Sequence, residues 1–101
     1  MKRRAVAKVL IDSEGQLFVV PELEPGTTYE YLYREANGLR WHKALHALHA
    51  YEPERWEHGQ LLRHISATLK SACDEDLRIV ESTVWEGVSS ELQAKLRSSL
   101  T

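Results

Sequence analysis

The pair Asn37-Gly38 restricts the folding of this chain more than any other two residues. A two-residue type I′ turn needs positive φ at both central positions, and Asn-Gly tolerates that best. The pair lies in T-Y-E-Y-L-Y-R-E-A-N-G-L-R-W, Thr28 to Trp41, which holds three of the four tyrosines and one of the three tryptophans. A hairpin closed there sets Ala36 opposite Leu39, Glu35 opposite Arg40, Arg34 opposite Trp41 and Tyr33 opposite His42. Opposed side chains share a face. One face would hold Tyr29, Tyr31, Tyr33 and His42 with a Glu35–Arg40 ion pair. The other would hold Leu32, Ala36, Leu39 and an Arg34–Trp41 cation–π pair. Both faces are partly apolar, so the sequence predicts a strand pair inside a sheet, covered by a helix on one side.

The rest of the chain supplies that sheet and helix. Arg4–Asp12 (R-A-V-A-K-V-L-I-D) reads as a strand with one fully buried face. Asp12-Ser13-Glu14-Gly15 is a turn, and Gln16–Val20 the returning strand. Pro21 ends it, because proline cannot donate to a ladder, and Pro21–Gly26 reads as a loop, a candidate rim for a pocket. A third strand is predicted at about Thr27–Glu35. Leu39–Tyr51 divides two readings: its Ala and Leu content favours helix, and the tight turn before it favours strand. The expectation is strand for Leu39–His42 and a further short strand at Ala47–Ala50.

Leu61, Leu62, Ile65, Leu69, Ala72 and Cys73 recur at helical spacing, which predicts the main helix over Glu57–Cys73. Three acids, Asp74-Glu75-Asp76, oppose the helix dipole there and mark a break, read as a solvated cap. Leu77–Glu81 is a further strand. Ser90 with Gln93 resembles a capping box, and Val88, Leu92, Leu96 and Leu100 form one stripe of a C-terminal helix. The predicted class is α+β: an antiparallel meander of four to five strands packed on one main helix, with a short C-terminal helix.

A chain of 101 residues suits one domain, which buries about 65% of its unfolded surface without metals or disulfides. The net charge of −2 gives no ground to expect nucleic acid, and the basic start Lys2-Arg3-Arg4 reads as a solvated tail. Cys73 is the one cysteine, so no internal disulfide can form. No apolar run approaches the ~20 residues of a membrane span, and the first residues do not read as a signal peptide. These features set the expectation of a cytoplasmic protein away from membranes.

Chemical motifs are sparse. His42, His46 and His49 have the spacing H-x-x-x-H-x-x-H, which on a helix would converge on a metal; the strand reading breaks that geometry, so no metal, cofactor or catalytic residue is assigned. No G-x-S-x-G, P-loop, G-x-G-x-x-G or C-x-x-C occurs. The residues singled out as a ligand or partner face are Tyr29, Tyr31, Tyr33, Arg34, Trp41 and His42. Three functions are compatible with them. The first is a non-catalytic interaction module, a homodimer through its aromatic sheet face or edge or a binder of another protein. The second is a small-molecule binder with a pocket among the Pro21–Gly26 loop, Tyr31, Tyr33, Trp41 and His42. The third is a histidine-based metal protein or enzyme.

Tyr31-Leu32-Tyr33-Arg34-Glu35-Ala36-Asn37-Gly38-Leu39-Arg40-Trp41 resembles a pattern in small uncharacterised bacterial proteins, some of the kind carried in mobile gene cassettes. Glu54-Arg55-Trp56 is similar to a second acid–tryptophan element of that group. His42 stands where the group usually has aspartate. The resemblance implies no activity.

Overall fold

The computed structural model of the protein describes residues 1–32 and 38–100. Its elements run in the order β1 (Lys2–Ile11), β2 (Leu17–Pro21), β3 (Leu39–His42), β4 (Ala47–Ala50), a 3-10 turn (Pro53–Arg55), α1 (His58–Cys73), β5 (Glu75–Glu86) and α2 (Ser90–Ser99). The fold is α+β, with one main helix and a short C-terminal helix, as the sequence predicts. The strands form one sheet in the order β3-β4-β2-β1-β5. All neighbours are antiparallel except β1 and β5, which run parallel. That parallel pair is the reason α1 exists where it does, since a crossover connection needs a dozen or more residues.

The β1–β2 hairpin follows the predicted turn. Asp12 Oδ1 accepts from the backbone N–H of Glu14 and Gln16 at 3.0 and 2.9 Å, and Gly15 takes φ +82°. Leu17 and Val19 turn to the helix side; Phe18 and Val20 turn to the other. The stripe on α1 buries Leu61, Leu62, Ile65 and Leu69 against Val6, Val9, Leu17 and Val19. Burying each such side chain contributes about 1.5–3 kcal/mol, so this interface fixes the helix to the sheet. Glu57 and Gln60 form a reciprocal capping box at the start of α1, and Asp74 ends it in the left-handed conformation with φ 55°. α2 packs beside α1, with Leu96 fully buried and Val88, Leu92 and Leu100 against the core, which is the predicted stripe.

β5 is longer than its sequence signal. Residues Ser82–Trp85 continue the strand instead of leaving it. The register between β1 and β5 slips between Val6 and Lys8, opposite residues 80–83. Thr83 fills the irregularity: its hydroxyl donates to Val6 O at 2.7 Å and accepts from the Val80 N–H at 3.0 Å. An interrupted ladder thus keeps its backbone groups satisfied.

The strand expected at Thr27–Glu35 is corrected over its described part. Residues 27–32 form no strand. The Thr27 N–H donates to Glu24 O at 3.1 Å and the Leu32 N–H to Tyr29 O at 3.0 Å, so the segment turns twice. Tyr29 and Leu32 enter the core, at 2% and 1% exposure, whereas Tyr31 stands outside at 48%. A period-two tyrosine pattern was overridden by the buried partner of Tyr29, described below. Residues 33–37 lie outside the described residues, and with them the predicted turn and its cross-strand pairs. β3 pairs with β4 through Leu39↔Ala50, Arg40↔His49, Trp41↔Leu48 and His42↔Ala47.

Candidate functional site

β3 lies at one end of the sheet. Side chains alternate along it: Leu39 and Trp41 face the core, and Arg40 and His42 face away. The Tyr51 N–H donates to Gly38 O at 2.7 Å, in register with the β3–β4 pairs. Antiparallel alternation then turns the backbone of Arg40 and His42 towards β4 and that of Leu39 and Trp41 to the opposite edge. A cavity of about 580 Å³ opens at this end, lined by Glu30, Gly38, Leu39, Arg40, Trp41, Lys43 and Tyr51. Its floor is apolar, formed by buried Leu39 and half-buried Trp41. Its rim is charged. The Arg40 guanidinium lies 3.9 Å from the centre of the Tyr51 ring, and the Lys43 ammonium lies 3.6 Å from the Glu30 carboxylate.

A buried polar network holds this floor in place. Arg4 donates to Glu75 Oε2 at 2.7 Å, to Glu22 O at 2.7 Å and to Glu24 Oε2 at 3.1 Å. The Tyr29 hydroxyl donates to the other oxygen of Glu75. The Tyr29 ring then meets Trp41 edge-on, with centroids 5.7 Å apart. Burial and the hydrogen bond to Glu75 hold the Tyr29 hydroxyl protonated well above its ordinary range. Burial pushes the Glu75 carboxyl up, but the hydrogen bonds from Arg4 and Tyr29 outweigh it and bring the group below its usual value. The bond to Glu75 likewise raises Arg4. Glu24, bound by Lys2, by the backbone and by Arg4, falls to about 2. The expectation of a solvated basic tail is therefore corrected at Arg4, which is 5% exposed, and that of a solvated acidic cap at Glu75, at 8%. Each is buried because the other neutralises it.

Of the six residues singled out in sequence, Trp41 lines the cavity. Tyr29 lies behind it in the core. Tyr31 lies elsewhere, its hydroxyl 3.2 Å from Cys73 Sγ. Tyr33 and Arg34 fall outside the described residues. His42 faces the other side of the sheet, where it meets Phe18 at 5.6 Å and His49 at 5.7 Å. The Pro21–Gly26 loop sends Glu22, Leu23 and Glu24 to a separate groove of about 300 Å³ beside Lys2–Ala5. Glu30, Arg40, Lys43 and Tyr51 were not foreseen as a group. The signal that could have found them is the β3–β4 pairing, which brings Tyr51 back beside Gly38 and Arg40.

The three clustered histidines do not converge. His46 sits in the β3–β4 turn with φ 53° and packs edge-on against Trp41, with centroids 6.2 Å apart. His49 stacks on Phe18 at 5.0 Å. His42 Nδ1 accepts from the Leu45 N–H at 3.1 Å, which places the ring proton of neutral His42 on Nε2. Burial, then His42 and Arg40, press His49 towards its neutral form. Among the described residues, no three His, Cys, Asp or Glu side chains assemble into a metal-binding group.

The chain is similar to an integron cassette protein. That protein comes from the mobile metagenome of the North West Arm sewage outfall; identity is 31%, 99% of this chain and 97% of that chain are covered, and the TM-score is 0.46. It agrees at this coarse level with the resemblance to mobile-cassette proteins. No family model and no curated protein matches the chain. No helix among the described residues is long and apolar enough to cross a membrane.

Proposed function

We propose that the protein is a small-molecule-binding domain whose site is the cavity at β3. The observation that supports this is the cavity's make-up: about 580 Å³, within the roughly 300–1,000 Å³ of ligand sites, with apolar and charged residues side by side in its described lining. The arrangement also places its rigid parts on secondary structure. Leu39 and Trp41 belong to a strand, and Trp41 is backed by the Arg4–Glu75–Tyr29 network. Among the described lining residues there is no nucleophile with an adjacent base, and binding rather than catalysis is the reading. The test is a fragment panel of mixed charge with amide chemical-shift mapping. Shifts clustered at Gly38–Lys43 and Tyr51 are expected. Shifts that cluster at the β1–β2 turn or on α2 with none at β3 would refute the site.

A homodimer is the second reading, and one observation favours it. The apolar stripes of both helices go to one face of the sheet. The opposite face carries Leu10, Phe18, Val20, His42 and His49, together with Val84 at 55% exposure. Of these, Phe18 is buried and Val84 exposed, and a sheet face that no helix covers is a surface a second copy can cover. Sedimentation equilibrium of wild type and Val84→Lys tests it: a dimer that the substitution dissociates supports the reading, and a wild-type monomer at high concentration ends it.

A further inference from the structure

The sheet face turned away from the helices carries its side chains in rows that cross all five strands. Arg40 pairs with His49, Leu10 with Phe18 and Leu10 with Glu86. The Val19↔Leu48 pair sets Phe18 opposite His49, and the two rings stack at 5.0 Å. One row therefore reads Arg40, His49, Phe18, Leu10, Glu86, with a cation at one end and an anion at the other. The next row reads His42, Ala47, Val20, Lys8, Val84. Both charged ends of the first row are exposed. Arg40 stacks on Tyr51 at 3.9 Å, and among the described residues no carboxylate pairs with it. Glu86 meets Lys8 at 2.9 Å in an exposed pair, which contributes little.

A second copy that covers this face in a closed pair is related by a two-fold axis lying between the two sheets. Two such axes keep the strands of the sheets aligned, as in packed sheets. An axis along the row lays β3 over the partner's β3, so that Arg40 meets the partner's Arg40 and Glu86 its Glu86. Like charges opposed in this way disfavour that arrangement. An axis along the strands lays β3 over the partner's β5, because β2 is the middle strand of the five. Arg40 then meets the partner's Glu86 at both ends of the row. The same rotation brings Val84, 55% exposed, onto the partner's His42. At the roughly 30° crossing of packed sheets, row ends about 10 Å from the axis shift by about 5 Å, which two long exposed side chains span.

Taking a second copy as the occupant of this face, the second reading above, we infer that the two sheets pack face to face about an axis along β2, with Arg40 of each copy paired to Glu86 of the other.

Sedimentation equilibrium of wild type, Arg40→Glu, Glu86→Arg and an equimolar mixture of the two variants tests this. Both substitutions are at exposed positions. Each variant alone opposes like charges at both ends and is expected to dimerise at least about tenfold more weakly than wild type. The mixture regains association, because the mixed pair restores opposite charges at both ends. In the wild-type dimer, isotope-filtered nuclear Overhauser effects are expected between the Val84 methyls and the His42 ring, which within one copy lie four strands, about 19 Å, apart. A wild-type dimer that Val84→Lys dissociates but neither charge reversal weakens, or a mixture that associates no better than its components, overturns the axis while the sheet face stands as the interface. A wild-type monomer at high concentration overturns both.

Discussion

Replacing Tyr29 by Phe isolates one bond in the network behind the cavity. The ring is 2% exposed and stays packed against Trp41, so no cavity opens. What disappears is the hydroxyl that donates to Glu75, a carboxylate whose side chain is 10% exposed. Glu75 keeps its second oxygen on Arg4 but has little water to replace the lost donor. A hydrogen bond to a charged group contributes about 1.5–3 kcal/mol, so the predicted loss is about 2 kcal/mol, or roughly 10 °C in Tm for a domain of this size. Urea unfolding followed by far-ultraviolet circular dichroism measures it, with Tyr51→Phe, 57% exposed, as a control expected within about 0.5 kcal/mol. The deficit has a pH signature. The folded-state pKa of Glu75 lies below its usual 4.5, so its stabilisation is complete above that value and is lost as pH falls through the folded-state value. The gap between wild type and Tyr29→Phe should therefore close on acidification. At the alkaline end the Tyr29 pKa is raised above 10, so its contribution is complete below 10 and is lost as pH rises through the folded-state value. A deficit below about 0.5 kcal/mol at neutral pH, or one unchanged down to acid unfolding, would refute the buried Tyr29–Glu75 bond.

Other substitutions test separate parts of the fold. Arg4→Met leaves Glu75 buried without its cation and should cost about 3–5 kcal/mol in the same urea assay, whereas Lys2→Met, at an exposed pair, should cost less than about 1 kcal/mol. Thr83→Val removes the hydroxyl that serves Val6 O and Val80 N; a loss of about 1–3 kcal/mol is expected, with faster amide exchange at Val80. Gly87 has φ +71°, and an added Cβ would lie 2.3 Å from Ile11 O, so Gly87→Ala should lower thermal stability by more than the roughly 1–2 kcal/mol of left-handed strain alone.

The sheet and helices were legible where one physical signal dominated. The β1–β2 hairpin had a turn with an Asp cap and a positive-φ glycine; α1 had an unbroken apolar stripe ending in three acids. β4 stands where the short strand was expected, and its pairing with β3 and β2 outweighs the helix propensity of Lys43–Tyr51. Thr27–Leu32 was misread because alternation is a local signal, and Tyr29 is placed by Arg4 and Glu75, 25 and 46 positions away along the chain. No window of the sequence contains that triad. The length of β5 was hidden for a similar reason: Ser82 and Thr83 look like loop residues until Thr83 is set against the irregular stretch of β1. The candidate site was legible only at Trp41. Its other walls come from the 30s, the 40s and Tyr51, and the pairing of β3 with β4 assembles them.

A crystal structure grown with the tightest-binding compound of the fragment panel tests the central claim most directly. The compound is expected in the β3 cavity, against Trp41 and within reach of Lys43 and Glu30. The compound seated on another surface, with the cavity at β3 closed by the protein's own side chains, would contradict the claim.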